Sequence, residues 1–312
     1  MKLENIAHSL GSIEISNSKI LDSGTNNKDK NIELLNKLGI DSRYKCSESE
    51  DVKSLAISAF SKLCSKQQIS PDFLIGVTQT SLNCFPHMSA FIEGSNLKNN
   101  IGSFDINLGC SGFVYALIVL ESMMAREICY NPVIICADSY NKFLTEPKNS
   151  AYLLFSDAAI AVSFSNDKSI KILSSDLGTD GTGADKLILE KNVEMLDQEI
   201  YMDGSAVYLF TMSKVIISVN KVLSDAKLNV DDVDLFLFHQ ASGMVLDSLQ
   251  KKLNIPTKKM PRNLDQIGNT VSCTIPFLLE ALQKSNDLHT GQKILLSGFG
   301  VGLSWATCII EI

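Results

Sequence analysis

Apolar runs of strand length alternate along this chain with longer stretches of helical period. FLIGVT (73–78), VIICAD (133–138), IAVSFS (160–165), KILSSD (171–176), VDLFLF (233–238) and KILLSG (293–298) read as strands buried on both faces. VKSLAISAFSKLC (52–64), FVYALIVLESMMAREI (113–128), AVYLFTMSKVIISVNKVLS (206–224), MVLDSLQKKL (244–253) and IPFLLEALQK (275–284) read as helices. The alternation predicts an α/β protein. Helices 113–128 and 206–224 are apolar nearly all round, which predicts that both lie inside, between two layers of sheet. SGTNNKDKN (23–31) and GTDGTGAD (178–185) read as exposed loops.

The two halves of the chain, 1–165 and 166–312, echo each other. In the first, FLIGVT leads to a polar segment, and FDINLG (104–109) then leads through Cys110 into a helix. In the second, VDLFLF leads through His239 into a helix, and the half closes on the strand pair KILLSGFGVGLSWATCII (293–310). An internal duplication would bring the two helix-opening sites close together.

The 312 residues are 45% hydrophobic, ample for a large core. A net charge of −7 weighs against a nucleic-acid partner. The opening MKLENIAHSLGS lacks the basic start and apolar run of a signal peptide. No uninterrupted apolar stretch reaches the roughly 18 to 20 residues that cross a bilayer. A cytoplasmic protein without membrane association is therefore expected. Its eight cysteines are irregularly spaced and are expected as free thiols. With no CxxC pair and only four histidines, no metal site is expected.

Cys110 stands between Gly109 and Gly112, where a strand pattern gives way to a helix. The glycines permit a sharp bend. A thiol at a helix N-terminus has its pKa lowered and becomes a better nucleophile. Taken alone, Cys110 reads equally well as a small core residue packed in a turn. His239 ends a buried strand, unlike His8, His87 and His289, and an imidazole there can donate a hydrogen bond or move a proton. Its plain alternative is a ring satisfied by backbone. Asn269 lies at a polar tip before another apolar helix, where asparagine is ordinarily a cap or turn residue. The glycine-rich SGFGVGLSW (297–305) lies between two strands, so it is either a plain hairpin turn or half of an oxyanion hole.

Together FDINLGCSGFVYAL, LFLFHQAS, IGNTVSCTIP and SGFGVGLSW resemble, in order and spacing, the ketoacyl-acyl-carrier-protein synthase III family of the thiolase superfamily. The resemblance covers about residue 70 to 312. It implies a thiolase-like five-layer αβαβα fold from two similar halves. It implies Cys110 as nucleophile, His239 and Asn269 as its catalytic partners, and backbone N–H groups of Cys110 and Val301 as the oxyanion hole. The reaction implied is acylation of Cys110 by an acyl thioester, then decarboxylative Claisen condensation with a malonyl-type extender on acyl carrier protein. No cofactor is implied beyond the thioester substrates. A homodimer is implied, with Phe85 reaching across the dimer to bound the acyl pocket.

The departures from the family pattern are specific. Acetyl-CoA-primed members clamp the adenine with a tryptophan and an arginine. The matching positions here are Glu33 and Asn149, and the one tryptophan, Trp305, lies elsewhere. Either coenzyme A or carrier protein is therefore left open as the priming donor. The usual HQAN reads HQAS at Ser242, a basic residue after it is Met244, and Val301 stands where glycine is frequent. Lys251, Lys252, Lys258, Lys259 and Arg262, with no acidic residue until Asp265, are expected to dock the acidic carrier protein. Two alternatives to condensation share the scaffold. One is an acyltransferase that passes the Cys110 acyl group to an alcohol or amine. The other is a non-catalytic partner subunit, a class that usually lacks the nucleophile.

Overall fold

Strand-period and helix-period segments fold where the sequence places them. The computed structural model describes the chain except for residues 23–27, 67–68, 82, 84, 97–99, 145–149, 168 and 193–196. In chain order the elements are β1 (Lys2–Leu10), β2 (Ile13–Ser16), α1 (Asn17–Asp22), α2 (Lys28–Leu38), β3 (Ser42–Lys45), α3 (Val52–Lys66), β4 (Phe73–Val77), α4 (Met88–Asn96), β5 (Gly102–Ile106), α5 (Gly112–Ala125), β6 (Pro132–Asp138) and β7 (Ala158–Ser165). There follow β8 (Lys171–Thr179), β9 (Leu187–Asn192), β10 (Asp197–Met202), α6 (Gly204–Phe210), α7 (Ile216–Asp225), β11 (Leu235–Phe238), α8 (Gly243–Leu253), α9 (Leu264–Ile267), α10 (Thr274–Ser285), β12 (Lys293–Gly300) and β13 (Ser304–Glu311). The expected loop at 23–31 is shorter than read, because the chain is helical from Lys28. Its first part lies outside the described residues.

Two sheets carry the architecture. The first has the order β1-β7-β6-β4-β5 and the second β8-β13-β12-β11. Their directions correspond. β1–β7 and β7–β6 are antiparallel and β6–β4 parallel. β8–β13 and β13–β12 are likewise antiparallel and β12–β11 parallel. The correspondence pairs α5 behind Cys110 with α10 behind Asn269, and β4 with β11. His239 therefore matches the end of β4 rather than Cys110.

The hydrophobic clusters define five layers. Ala56, Phe60 and Leu63 of α3 pack with Leu74, Ile135 and Ala161 on one face of the first sheet. On its other face Ile75, Cys136 and Ile160 share a core with Val114 and Leu117 of α5, Ile275 and Leu279 of α10, and Leu237, Leu296 and Cys308 of the second sheet. Beyond that sheet Val219 and Val222 of α7 and Leu246 and Leu249 of α8 close the molecule. The order is helix, sheet, helix, sheet, helix, as expected.

Two expectations change. The central layer is α5 and α10; the run 204–225 lies outside, with Leu209 67% and Ile217 64% exposed. Its 22 residues nevertheless form one helical stretch long and apolar enough to cross a membrane by length and composition, which the sequence reading did not anticipate. Strand β8 is not buried on both faces. It lies at a sheet edge, paired among the described residues only with β13, and alternates between exposed and half-buried positions.

Candidate active site

Cys110, His239 and Asn269 line one cavity of about 620 Å³, together with Phe299 and Gly300. Each stands at the end of an element: Cys110 between β5 and α5, His239 after β11, and Asn269 ahead of α10.

The glycines around Cys110 serve close approach, not an unusual backbone angle. Neither Gly109 nor Gly112 has positive φ. A Cβ on Gly109 would stand 2.3 Å from Gln79 Oε1, and one on Gly112 would stand 2.4 Å from Val77 Cγ1. A Cβ on Gly300 would lie 3.0 Å from Cys110 Sγ, so that glycine makes room for the thiol from the second sheet. Cys110 is 5% exposed. Burial pushes its thiol up and the charge of Asp138 pushes it further; the backbone N–H lowers it by less. This reverses the expected lowering. The helix end is desolvated, and desolvation outweighs the dipole. The resting group is a thiol, and its proton must leave during attack.

His239 is held through its backbone N–H, which donates to Ser297 O at 2.8 Å. Its Nδ1 is 2.8 Å from Thr274 Oγ1, and its ring meets Phe299 edge-on at 5.4 Å. Thr274 Oγ1 also lies 3.3 Å from Val271 O, to which it donates. When the hydroxyl serves Val271, Nδ1 is the donor and Nε2 is a free base. When it turns to Nδ1, Nε2 carries the proton. Burial lowers the His239 pKa to about 3, so the ring is neutral.

Asn269 is fixed on both sides of its amide. Val271 N–H donates to Oδ1 at 2.9 Å, and Nδ2 donates to Ala241 O at 3.2 Å. The other Nδ2–H has no acceptor among the described residues. Val271 thus braces both partners: its N–H orients Asn269 and its carbonyl engages the hydroxyl beside His239. It does so at φ 55°, where a β-branched residue is strained by about 1–3 kcal/mol. Asp138, fully buried, binds the loop from the other half. It accepts from Gln79 N at 2.9 Å and from Ser272 Oγ at 2.5 Å, and burial raises its carboxyl to about 6. Thr274 and Asp138 carry no signal in the sequence, because His239, Gln79 and Ser272 reach them from distant segments.

The neutral histidine predicts a pH effect on stability. An unfolded imidazole gains a proton near pH 6.5 and the folded one only near 3. Stability from this group is therefore lost as pH falls between those values. Asp138, raised from 3.8 to about 6, acts in the opposite sense: its contribution is full below 3.8 and is lost as pH rises through 6. The melting temperature of the wild type relative to His239→Asn should fall steadily from pH 7 to 4. A pH-independent difference would mean that the ring is not buried and neutral.

The remaining expected residues scatter. Phe85 is 86% exposed and does not line the cavity. Val301 follows Gly300 at the turn between β12 and β13 and lines a neighbouring cavity. Lys251, Lys252 and Lys258 are exposed. Two members of the basic cluster are already engaged. Lys259 Nζ donates to Asp231 O and Val233 O at 2.8 and 2.7 Å, and Arg262 pairs with Asp247 at 2.6 Å. The absence of acids along the chain is not an absence in space. Glu33 is paired with Lys37 at 2.7 Å, while Asn149 lies outside the described residues. Trp305 donates to Asp176 at 2.9 Å. The outer part of the cavity is apolar, with Leu34, Leu38, Leu209 and Met244. Among the described residues no three His, Cys, Asp or Glu side chains cluster as a metal ion requires.

Comparison with known proteins gives a consistent result. Residues 104–181 match the profile of 3-oxoacyl-(acyl-carrier-protein) synthase III, and residues 223–312 that of its C-terminal part. The chain is 31% identical to the beta-ketoacyl-(acyl-carrier-protein) synthase III of Streptococcus uberis, covering 100% of this chain and 99% of that one. It is 30% identical to the Synechocystis protein of the same name, over 89% and 88% of the two chains. The crystal structure of 3-oxoacyl-(acyl-carrier-protein) synthase III from Aquifex aeolicus superposes with a TM-score of 0.90 at 25% identity, covering 100% and 99%.

Proposed function

The chain belongs to the 3-oxoacyl-(acyl-carrier-protein) synthase III family, and on that premise we propose that it condenses an acyl thioester with a malonyl-type carrier-protein thioester. The observation that carries the reading is the convergence of Cys110, a neutral His239 and an oriented Asn269 in one largely apolar cavity. Cys110 Sγ attacks the donor carbonyl as its proton passes to His239 Nε2. Backbone N–H groups of Cys110 and Val301 hold the oxyanion. The donor thiol then leaves with that proton, and Cys110 is acylated. In the second step the extender's thioester carbonyl accepts from His239 Nε2–H and the free Asn269 Nδ2–H. CO2 departs as the enolate forms, its carbon attacks the acyl group, and Cys110 is expelled as a thiolate that takes up a proton from solvent to restore the thiol. Neutral donors suit this step, since they stabilise negative charge only as it develops. His239 and Asn269 together can present two neutral donors to one carbonyl, which favours condensation over acyl transfer to a heteroatom. The presence of Cys110 favours an enzyme over a silent partner subunit.

The test is intact-mass analysis after exposure to acyl-CoA and acyl-carrier thioesters, followed by malonyl-carrier protein. The reading requires an adduct on Cys110, then CO2 and a β-keto product. An adduct without CO2 release would indicate the acyltransferase instead.

The proposal extends to a cytoplasmic homodimer that needs no cofactor, built from halves 1–165 and 166–312. The outer edge of β5 is unpaired among the described strands, and the exposed Phe85 supports a contact across a dimer. Carrier protein would dock on the exposed lysines. Met244, Ser248, Lys251 and Lys252 recur at helical spacing along α8, from the cavity towards its basic end. Reversing Lys251, Lys252 and Lys258 to Glu should raise KM several-fold for carrier-bound substrate and leave small thioester analogues unaffected. Equal effects on both would remove this surface from the reading.

A further inference from the structure

A second cavity, of about 110 Å³, lies beside the nucleophile. Gln79, Asn107, Tyr140, Leu187, Ile200 and Val301 line it. Leu187 is shared with the larger cavity, and Val301 directly follows Gly300, which touches the Cys110 thiol. The space therefore adjoins the point where an acyl group on Cys110 begins.

Its polar lining is built and oriented. Gln79 Oε1 occupies the place a Cβ on Gly109 would take, against the residue preceding the nucleophile. Tyr140 Oη donates to that oxygen at 3.0 Å. Burial, then the charge of Asp138, keeps the phenol protonated and hence a donor. With Oε1 committed to Tyr140, the amide orientation is set. Gln79 Nε2–H₂ has no protein acceptor among the described residues. An alkyl group packed against it would leave this donor unpaired, which costs more than an ordinary hydrogen bond contributes. Leu187 and Ile200 supply an apolar wall, and among the described residues no cation lines the space, so none of them offers a carboxylate a counter-charge there.

Resting on the condensing-enzyme reading above, we propose that Cys110 is loaded with short acyl groups carrying a neutral hydrogen-bond acceptor, a hydroxyl or oxo oxygen near the third carbon. Gln79 donates to that oxygen, and Tyr140 is the positioning residue that orients Gln79. The loading step itself is thioester exchange. The donor C–S bond breaks, the Cys110 Sγ–C bond forms, and the thiol proton leaves on the donor thiol.

The test compares two acyl groups of nearly equal shape, 3-hydroxybutyryl and 3-methylbutyryl, each offered on coenzyme A and on acyl carrier protein. The rate of Cys110 acylation is followed by quenched intact-mass analysis. The wild type should be acylated about tenfold faster by 3-hydroxybutyryl, and the Gln79→Leu/Tyr140→Phe double variant should reverse that preference. The wild-type comparison needs no variant, so it stands even if the variant misfolds. Equal or faster acylation by 3-methylbutyryl in the wild type overturns this inference alone. Acylation by none of the thioesters overturns the condensing-enzyme reading and the inference with it.

Discussion

Cys110→Ala should gain no acyl mass from any thioester and should lose condensation by about a thousandfold or more, while still releasing CO2 from malonyl-carrier protein. The two halves of that expectation come from different residues. Acylation needs a sulfur at the turn between β5 and α5. Decarboxylation needs donors to the extender's carbonyl, a role the proposed mechanism gives to His239 and Asn269 and not to the thiol. No other described cysteine lines the cavity with His239 and Asn269: Cys46, Cys64, Cys129, Cys136, Cys273 and Cys308 all lie outside it. Only Cys64 is partly accessible among them. The substitution removes one sulfur beside Gly300 and leaves the surrounding hydrogen bonds intact, so the variant should fold. A persisting adduct would assign the nucleophile elsewhere. Loss of CO2 release along with the adduct would mean that Cys110 holds the extender site together, not merely the acyl group.

Much of this architecture was legible because period and length were clear. The central strands β4, β6, β7, β11 and β12 and the helices α3, α5, α8 and α10 all appear where apolar periodicity placed them. Layer assignment was less legible, and the reason is local. The helix α10 carries Glu280, yet Glu280 is 4% exposed, with His8 Nδ1 at 2.6 Å and Lys284 at 3.0 Å. A paired carboxylate can lie inside, so its presence did not mark an exposed face. The run 206–224 reads as apolar nearly all round, yet it turns Leu209 and Ile217 outward. Burial is a property of what packs against a helix, and composition alone does not report it.

The site divides in the same way. Its three candidate residues were recognisable as tips of elements, because tips follow from local pattern. The direction of the Cys110 shift was not, since it depends on how completely two sheets exclude water from the helix end. The holders of the site were not legible either. Thr274 meets His239 across 35 positions, and Asp138 meets Ser272 across 134. Such pairs exist only once the two sheets face each other over α5 and α10. The basic cluster shows the converse error: sequence spacing made Arg262 look unopposed, and folding brought Asp247 to it.

Asn269→Asp should separate the two chemical steps most sharply. One oxygen of the introduced carboxyl can still accept from Val271 N–H, so the loop keeps its brace. The other oxygen replaces Nδ2. It then faces Ala241 O, where an amide donor stood 3.2 Å away, and presents negative charge where the enolate oxygen forms. A donor is lost and a repulsive charge is gained. Removal of one preorganised donor alone costs about 10²–10³ in rate, so decarboxylation should fall by about a thousandfold or more. Acylation of Cys110 should fall less than about tenfold, because that step draws on the thiol, His239 and the backbone N–H groups. The introduced carboxyl is buried, so its pKa should be raised, and its protonated form is again a neutral donor. The residual decarboxylation should therefore climb as pH drops, a slope that Asn269→Ala, with no proton to gain, should lack. Parallel loss of both steps, or a flat pH response in the Asp variant, would take Asn269 out of enolate stabilisation and leave it as a strut between Ala241 and Val271.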